Sequence, residues 1–577
     1  MIRKEINPLT QRLVDVVEQF LRKRKEADYF DVHGRVHVEE LMRKFVEKEE
    51  TIEFVLPAFP FKSPSHHKVL GTLPDFGEYY SLFVLNSLCQ SIQDIYAPGA
   101  TMTLASDGSV YHDIVGVSQD DFIAYDEEVR RIGKEFSHLR FVCIRDMMTD
   151  EQFAMWSRDK EEFFQAHLEG YDLESDLATN ENLLQVYRGY LLFMKDDLQT
   201  QIEKMDLSSK KQRKFLSTVA KQLLRRGQVY SELLSNTFPQ CIRLSIHGHN
   251  NTGPKFAVAL SPQLQCRTPW HNCVVLRRTG KFELMKVRDV PDDATVITKH
   301  GRPWMMAEPD PDLLHWDTID GKVKWEALLP FGLQLEFPPN TPLEAIPGAQ
   351  LRRLALKFKL VNVRGLRTIE NQQKFDDASS SFGTPQSWFF GNVLTVKLNP
   401  ALDVNNVLSN EAMPMHYDGL FKIGEDGKPM APAFQYFFCK VAAGSTLFTN
   451  TELFHRIYPS LKEKKWKVFT PKNDSFGGTE MILDLFEEHP RTKEIIFRFH
   501  EPWGQEKTQF KPTEVEVMEK ENERWCQRLT DIMYSRRFCI HHQWQENDVI
   551  IADNISLMHT RPAYDESARE LWRIHYN

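Results

Sequence analysis

Residues 413–421 read MPMHYDGLF, and they place His416 and Asp418 two positions apart just before Gly419. A histidine and an aspartate in this pattern are also typical of an exposed turn, because aspartate favours the bend before a glycine. In an extended segment, however, residues i and i+2 point to the same side. The two side chains could therefore bind one metal ion, provided that a third ligand comes from another part of the chain.

A third ligand is available in the stretch QENDVIIADNISLMHTRPAY at 545–564, where His559 follows an apolar strand. Two imidazoles and one carboxylate are the ligand set of non-haem Fe(II) oxygenases. The C-terminal stretch RELWRIHYN supplies Arg573, and AAGSTLFTN at 442–450 supplies Thr446. A guanidinium and a hydroxyl suit the distal carboxylate of 2-oxoglutarate, a co-substrate of such oxygenases. The second half of the chain therefore predicts an iron site with a 2-oxoglutarate site beside it.

These motifs, from about residue 328 to residue 577, resemble those of the taurine-dioxygenase-like family of Fe(II)/2-oxoglutarate oxygenases. The resemblance implies a double-stranded β-helix (jelly roll), with Fe(II) bound by His416, Asp418 and His559. It also implies that Thr446 and Arg573 hold 2-oxoglutarate. Competing residues lie near each position: Arg569 for Arg573, and His541, His542 and His575 for the third metal ligand.

The first half shows helical and strand patterns in succession. Asn7 and Pro8 predict the start of a helix, and further helices are predicted over 181–204 and 209–234. Asp107-Gly108 between two β-prone runs predicts a hairpin. In CIRLSIHGHNNTG at 241–253, apolar residues alternate with Arg243, Ser245 and His247, which predicts a strand with one apolar face. Its polar face is either an anion site or the solvated side of an edge strand.

Three stretches of the first half occur together: LPAFPFKSPSHHKVLGTLPDFGEYYSL at 56–82, IYAPGATMTLASDG at 95–108 and RLSIHGH at 243–249. In combination they resemble the pyoverdine/dityrosine biosynthesis family, to which isocyanide (isonitrile) synthases belong, over about residues 40–290. The resemblance implies conversion of the α-amine of an amino acid to an isonitrile, with ribulose 5-phosphate as the carbon donor. A relative in a spore-wall pathway is associated instead with an N-formyl amino acid.

The chemistry implied by that resemblance needs cations for a sugar phosphate and a carboxylate, and groups that transfer protons. The candidate cations are Lys62, Lys68, Arg243 and His247. The candidate acids and bases are Asp75, Glu78, Asp107, Asp113 and His247. Two simpler interpretations stay open, namely Asp107 as a turn residue and Lys62 to Lys68 as a solvated loop.

At 577 residues the chain is too long for one ordinary domain. The proline-rich stretch that starts at 328 predicts a boundary there. This gives an α/β isocyanide-synthase-like domain at 1–327 and a β-rich dioxygenase domain with flanking helices at 328–577. Together they predict a bifunctional enzyme of secondary metabolism that also oxidises its isonitrile, by decarboxylative desaturation to a vinyl isonitrile. The rivals are an N-formyl amino acid synthase fused to a hydroxylase and a non-catalytic metal-binding regulator, and the amino acid could be tyrosine, tryptophan, valine or leucine.

The net charge of −9 is spread along the chain without a long basic block, so neither nucleic acid nor an anionic membrane is an expected partner. The eight cysteines show no paired spacing, the N-terminus lacks the apolar core of a signal peptide, and no apolar run approaches the ~18 residues of a transmembrane helix. We therefore expect a cytoplasmic enzyme with reduced thiols. Its expected partners are small molecules: an amino acid, ribulose 5-phosphate, 2-oxoglutarate and O2. The oligomeric state is left open.

Overall fold

The chain folds as two units in the computed structural model: Met1–Arg277 with Phe282–Glu308, and Arg278–Lys281 with Pro309–Asn577. The second unit begins ahead of position 328, where the sequence places the boundary, because a strand at Lys324–Ala327 pairs with one at Leu333–Thr341. The structure describes residues 7–23, 28–206, 208–247, 250–261, 267–388, 391–398, 406–425, 427–471, 478–564 and 569–577.

The first unit contains both helices and strands. Its helices are α1 (Pro8–Phe20), α2 (Arg35–Val46), α3 (Phe76–Gln93), α4 (Gly108–Tyr111), α5 (Gln119–Gly133), α6 (Asp150–Arg158), α7 (Lys160–His167), α8 (Leu173–Thr179), α9 (Glu181–Asp197), α10 (Gln199–Lys204) and α11 (Ser209–Thr237). Its strands are β1 (Ile52–Pro57), β2 (Ala100–Ser106), β3 (Leu139–Cys143), β4 (Ile242–Ser245), β5 (Lys255–Ala257), β6 (Cys273–Leu276), β7 (Phe282–Met285), β8 (Thr295–Lys299) and β9 (Arg302–Ala307). The predicted first helix is confirmed, since Oδ1 of Asn7 accepts a hydrogen bond from the N–H of Leu9 at 2.9 Å. The predicted helices at 181–204 and 209–234 correspond to α9, α10 and α11.

The central sheet of this unit has five parallel strands in the order β3-β2-β1-β4-β5. Phe54 and Leu56 of β1 pack in one apolar core, and Val55 packs in another with Val110 and Leu233. Both faces of the sheet are therefore buried, as is usual for parallel sheets. The chain runs from β1 to β2 and β3 on one side and then returns to β4 on the other, so the strand order reverses between β1 and β4. A smaller sheet has the order β7-β6-β9-β8.

The hairpin predicted at Asp107-Gly108 is wrong. Strand β2 ends at Ser106, Asp107 precedes helix α4, and β2 pairs in parallel with both of its neighbours. The glycine is needed for another reason, because a Cβ at Gly108 would lie 2.2 Å from the carbonyl oxygen of Pro60. The Asp-Gly pair thus marks a tight connection from a strand to a helix. Strand β4 lies between β1 and β5, so the edge-strand interpretation of residues 242–247 does not hold either.

Strands dominate the second unit. Its helices are α12 (Pro311–Leu314), α13 (Gly348–Phe358), α14 (Gln372–Ser379), α15 (Phe454–Ile457) and α16 (Asn522–Tyr534). Its strands are β10 (Lys324–Ala327), β11 (Leu333–Thr341), β12 (Leu360–Leu366), β13 (Val393–Lys397), β14 (Phe434–Val441), β15 (Ser445–Asn450), β16 (Lys465–Thr470), β17 (Thr479–Asp484), β18 (Phe486–Glu488), β19 (Ile495–Phe497), β20 (Glu514–Val517), β21 (Cys539–Gln543), β22 (Val549–Asp553), β23 (Leu557–Thr560) and β24 (Glu570–Tyr576). Strand β20 immediately precedes α16 in the sequence.

Two sheets of this unit share one apolar core. The larger has the order β10-β11-β12-β22-β14-β24-β13, and the smaller has the order β21-β15-β23. Their common core contains Phe437 of β14, Phe448 of β15, Ile550 of β22 and Leu571 of β24. The structure therefore confirms an α/β first half and a β-rich second half.

No helix among the described residues has the length and the apolar composition to cross a membrane. The seven cysteines in the described part of the chain are free thiols, and Cys266 lies outside that part.

Candidate active sites

The His416 segment lies beside strand β23 at the edge of the three-stranded sheet. The N–H of His416 donates to the carbonyl oxygen of His559 at 3.0 Å, and the N–H of His559 donates to the carbonyl oxygen of His416 at 2.8 Å. This antiparallel bridge places the two imidazole ring centroids 4.4 Å apart. Backbone pairing thus brings together two predicted metal ligands from distant parts of the sequence.

The tautomer of His416 follows from its own hydrogen bond. Its Nδ1 lies 2.8 Å from the carbonyl oxygen of Pro414, which can only accept, so Nδ1 carries the proton and Nε2 has a free lone pair. That Nε2 lies 3.6 Å from Oδ1 of Asp418. Burial lowers the pKa of His559 to about 3, so its ring is neutral near pH 7. One atom from each of His416, Asp418 and His559 lies within 4.8 Å of the others, and this donor set fits a transition metal such as Fe(II).

Three donors hold one oxygen of the Asp418 carboxylate. Oδ2 accepts hydrogen bonds from Nε2 of Gln435 at 2.6 Å, Nη1 of Arg573 at 2.9 Å and Nε2 of His575 at 2.8 Å. Burial alone would raise the pKa of Asp418, but Arg573 and the neighbouring histidines hold it well below its usual range. Asp418 is therefore ionised, with Oδ2 engaged and Oδ1 near Nε2 of His416.

The contact that Nδ1 of His575 makes with Trp388 shows that this histidine donates to Asp418 through Nε2. The indole N–H of Trp388, which can only donate, lies 3.1 Å from Nδ1 of His575. That nitrogen is therefore unprotonated, and the proton lies on Nε2, which faces Oδ2 of Asp418. A protonated nitrogen cannot bind a metal ion. His575 thus orients the carboxylate and does not compete with His559 as the third ligand.

The other two competitors lie elsewhere in the small sheet. His541 and His542 are on β21, which is separated from β23 by β15. Burial lowers the pKa of His542 to about 4, and its Nε2 lies 3.7 Å from Oδ2 of Asp548. The cluster that can hold a metal ion is formed with His559 instead.

The two arginines of the C-terminal stretch contact different parts of the site. Nη2 of Arg569 donates to Oγ1 of Thr446 at 3.3 Å, whereas Nη1 of Arg573 contacts Asp418. In the structure Thr446 is therefore paired with the competitor Arg569 and not with Arg573. Arg569 is buried, and its Nη1 has no hydrogen-bond partner among the residues that the structure describes. A buried guanidinium N–H without a partner, beside a hydroxyl, fits a carboxylate ligand.

Asn554 and Gly419 fix the backbone around Asp418. Oδ1 of Asn554 accepts from the N–H of Asp418, and Nδ2 donates to its carbonyl oxygen, both at 3.0 Å. Gly419 follows with a φ of +90°, and a Cβ there would lie 2.5 Å from the carbonyl oxygen of Met430. The bend after the metal cluster therefore needs a glycine.

A cavity of about 730 Å³ lies at the carboxyl ends of the parallel strands in the first unit. Pro57 and Ala58 border it at the end of β1, Asp107 follows β2, and Ile246 and His247 follow β4. Ligands of parallel α/β sheets bind outside the carboxyl ends of the strands, where the strand order reverses. The cavity occupies that position. Its apolar wall includes Phe61, Tyr111, Tyr190, Phe193, Leu223 and Trp270.

The carboxyl group of Asp107 belongs to this cavity. Asp107 precedes helix α4, but within the described chain its side chain makes no cap hydrogen bond. Its Oδ1 is buried, and no described residue forms a hydrogen bond with it. Burial raises the pKa of Asp107 to about 7, so the carboxyl is partly protonated near neutral pH. Of the residues predicted for this half, Asp107 and His247 line the cavity.

Asp197 and His271 also line the cavity, although sequence reasoning did not single them out. Oδ1 of Asp197 accepts hydrogen bonds from Nζ of Lys68 at 2.7 Å and from Oγ of Ser63, and it lies 3.7 Å from Nδ1 of His271. Burial alone would raise the pKa of Asp197, but His271 and Lys68 lower it to about 2. Lys68 is thus buried against a carboxylate, and the solvated-loop interpretation does not hold.

Lys62, Asp75 and Glu78 form a buried ion cluster at the start of α3. Nζ of Lys62 lies 2.8 Å from a carboxylate oxygen of each acid. Oδ1 of Asp75 accepts from the N–H of Gly77 at 2.8 Å, and Oε2 of Glu78 accepts from the N–H of Asp75 at 2.9 Å, which completes a capping box. Burial raises the pKa of Glu78 to about 7. These contacts fix the start of α3.

Arg243 and Asp113 make contacts with neighbouring helices. The guanidinium of Arg243 donates to Oγ of Ser235 at 2.8 Å and to Oγ of Ser231 at 3.3 Å, both on α11. Asp113 forms ion pairs with Arg226 at 2.8 Å and with Lys160 at 2.7 Å. The polar face predicted for β4 thus packs against α11, while His247 lies beyond the end of the strand.

Four further residues of these sites were missed by sequence reasoning. A single amide in the aromatic strand FQYFFCKV is a signal that could have marked Gln435. Asp197 lies inside the helix predicted over 181–204 and has the pattern of a solvated acidic residue, whereas in the structure it ends α9. Neither His271 nor Asn554 belongs to a recognisable spacing, because tertiary contacts alone bring them to their partners.

Comparison with known families assigns each half separately. Residues 42–297 match the family described as Pyoverdine/dityrosine biosynthesis protein. Residues 324–575 match the family described as Taurine catabolism dioxygenase TauD, TfdA family. Both resemblances predicted from the sequence are thereby confirmed.

Two fungal proteins match almost the whole chain. Isocyanide synthase xanB of Aspergillus fumigatus is 31% identical, over 92% of this chain and 76% of its own length. Isocyanide synthase A of the same fungus is 32% identical, over 94% of this chain and 93% of its own length. Among solved structures, the PvcA protein of Pseudomonas aeruginosa aligns with a TM-score of 0.47 at 31% identity, over 52% of this chain and 100% of its own.

Proposed function

Because the chain belongs to the isocyanide synthase family, we propose that it is a bifunctional enzyme that makes an isonitrile in its first unit and oxidises that product in its second. The single observation that carries the proposal is the presence of two complete but different sites in one chain. One is a cavity at the carboxyl ends of a parallel sheet, and the other is the His416, Asp418 and His559 cluster, in a unit that also holds the buried Arg569 in contact with Thr446.

In the first unit, the cavity takes an amino acid and converts its α-amine to an isonitrile with a carbon from ribulose 5-phosphate. The cavity is lined mainly by apolar side chains with a few polar groups, as small-molecule sites usually are. Its wall of aromatic and aliphatic side chains supports an amino acid whose own side chain is apolar or aromatic, because a charged one would lose its hydration there. Tyrosine, tryptophan, valine and leucine fit this condition.

In the second unit, His416, Asp418 and His559 hold Fe(II), and Arg569 with Thr446 holds the distal carboxylate of 2-oxoglutarate. We interpret the two sheets that share a core as the double-stranded β-helix of this oxygenase type. Bound Fe(II), with 2-oxoglutarate and O2, supplies a two-electron oxidation that is coupled to the loss of CO2 from 2-oxoglutarate. Residues of the chain keep Asp418 ionised, burial keeps the ring of His559 neutral, and Arg569 offers a buried cation to the co-substrate.

The second reaction is decarboxylative desaturation of the isonitrile amino acid. The substrate loses its carboxylate as CO2 and one β hydrogen as a proton, and two electrons pass to the oxidant, which leaves a vinyl isonitrile. A hydroxylated isonitrile would retain its carboxylate and gain one oxygen atom. Product mass therefore distinguishes desaturation from hydroxylation.

The test uses the purified full chain with uniformly ¹³C-labelled ribulose 5-phosphate and a panel of amino acids. The panel contains tyrosine, tryptophan, valine and leucine, with lysine and aspartate as mismatched controls. Without Fe(II), we expect a product that has gained one labelled carbon and lost two hydrogens, from apolar or aromatic amino acids alone. An N-formyl amino acid is heavier than the isonitrile by one water, so its appearance would support the rival synthase and contradict the proposal.

A further inference from the structure

The cavity of the first unit contains a carboxyl group that its surroundings leave without a partner. A residue that precedes a helix usually accepts a hydrogen bond from the first turn, and Asp107 of the described chain makes none to α4. Its buried Oδ1 has no hydrogen-bond partner within the described residues. A polar atom that is buried without a partner destabilises the folded chain. Because the unpartnered Oδ1 of Asp107 lies at the cavity beside the carboxyl ends of the strands, it indicates that a ligand binds there.

A second unpartnered group faces the same cavity. Asp197 is 3% exposed, and its Oδ2 has no hydrogen-bond partner in the part of the chain that the structure describes. Its Oδ1 is fixed by Lys68 and Ser63 and lies 3.7 Å from Nδ1 of His271. The ring of His271 is also held by Phe193, whose ring meets it edge to face at 4.4 Å. An imidazole placed between a fixed carboxylate and a cavity has the arrangement of a general base with its orienting group.

We propose that His271 and Asp107 are the proton-transfer residues of the first unit and that Asp197 positions His271. This inference rests on the proposed isonitrile synthesis. His271 accepts a proton from the α-ammonium group of the amino acid, and the free amine then attacks the keto carbon of ribulose 5-phosphate. Asp107 delivers its carboxyl proton to the ketone oxygen. One C–N bond forms and the C=O π bond breaks, which leaves a carbinolamine that is still protonated at nitrogen, an imidazolium at His271 and a carboxylate at Asp107.

The charges around the two groups agree with these roles. The titratable groups that face Asp107 are the hydroxyls of Tyr111, Tyr190 and Tyr230, which are neutral near pH 7, so burial is what favours its protonated form. Those that face His271 are Asp197, Lys68 and Lys62, and burial lowers the pKa of His271 in spite of Asp197. His271 is therefore neutral and Asp107 partly protonated near pH 7, the states that a base and an acid need. The rate of isonitrile formation should fall on the alkaline side as Asp107 loses its proton.

The test measures isonitrile formation by the full chain, with ribulose 5-phosphate and the best amino acid of the panel, from pH 5 to pH 9. We expect Asp107→Asn and His271→Ala each to lower kcat by about 10²- to 10⁴-fold, the usual contribution of acid–base catalysis. KM should change less than kcat. The decrease in rate at alkaline pH should be absent from the residual activity of Asp107→Asn. Asp107→Glu should recover part of the wild-type rate. Added imidazole should restore activity to His271→Ala. A role in packing alone would not give imidazole rescue.

Asp120→Asn is the matched control, because Asp120 is exposed in the first turn of α5 and does not line the cavity. It should retain the wild-type rate within about threefold, a small difference in transition-state stabilisation. Wild-type rates and an unchanged pH profile in both Asp107→Asn and His271→Ala would overturn the inference while the proposed function stands. If the wild-type chain forms no isonitrile, the proposed function fails first, and the inference fails with it.

Discussion

Arg569 and Thr446 lie in contact between the two sheets of the second unit, with Nη2 of the arginine 3.3 Å from Oγ1 of the threonine. The same hydroxyl accepts a hydrogen bond from the indole N–H of Trp544 at 2.9 Å. Since Nη1 of Arg569 is buried without a partner among the described residues, this pair offers a preformed carboxylate site. Arg573 instead donates to Asp418 and belongs to the metal cluster.

We predict that Arg569→Ala will raise the half-saturating concentration of 2-oxoglutarate by about ten- to a hundredfold. A charge-assisted hydrogen bond contributes about 1.5 to 3 kcal/mol, which corresponds to that change in affinity. Arg569→Lys should recover only part of it, because lysine keeps the charge but loses the planar pair of donors. The measurement is 2-oxoglutarate-dependent CO2 release. If Arg573→Ala raised the half-saturating concentration of 2-oxoglutarate more than Arg569→Ala does, Arg573 would be the residue that binds the distal carboxylate.

His575→Phe should weaken Fe(II) binding by about ten- to a hundredfold, the usual cost of losing a group that orients a metal ligand. The substitution removes one of three donors to Oδ2 of Asp418 but keeps a ring beside Trp388. Competition with a coloured chelator measures the affinity. His455→Asn, which changes a histidine outside the cluster, is the control. Equal Fe(II) affinity in the wild type and in His575→Phe would show that this donor does not position the carboxylate.

Asp107→Asn should stabilise the first unit at alkaline pH. Burial raises the pKa of Asp107 from its ordinary 3.8 to about 7, so the folded chain binds a proton that the unfolded chain releases between these values. Stability of the wild type therefore falls as the pH rises from about 4 to about 7, and the asparagine variant lacks this loss. The free energy of unfolding of the variant relative to wild type should grow by about 2 to 4 kcal/mol over that interval. Calorimetry of the full chain at several pH values measures it, and a difference that is independent of pH would contradict the raised pKa.

The three residues of the metal cluster could be predicted from the sequence because they lie in local motifs. The spacing of His416 and Asp418 and the strand before His559 carry that information. The choice between Arg569 and Arg573 could not be made in the same way. Residues four apart on a strand point to the same side, and only the position of Thr446 separates them.

The first unit was harder to interpret because its site forms through tertiary contacts. Asp75 and Glu78 have the three-residue spacing of a capping box, and in the structure they form one at the start of α3. An Asp-Gly pair after a β-prone run can precede either a hairpin or a helix, and the parallel pairing of β2 decides for the helix. Asp197 and His271 meet only because α9 and the loop before β6 pack on the same cavity.

The most direct test of two successive reactions in one chain is the product formed by Asp418→Ala with the amino acid, ribulose 5-phosphate, Fe(II), 2-oxoglutarate and O2 all present. Removing Asp418 leaves two neutral ligands and strips the anionic one, so Fe(II) occupancy should fall steeply. The account predicts that the isonitrile amino acid accumulates at the wild-type rate of the first reaction, with little CO2 released from 2-oxoglutarate. Asp484→Ala, which alters an exposed carboxylate beside Lys465, should form the oxidised product like wild type. Full Fe(II) content and undiminished oxidation by Asp418→Ala would contradict the metal site and, with it, the second activity.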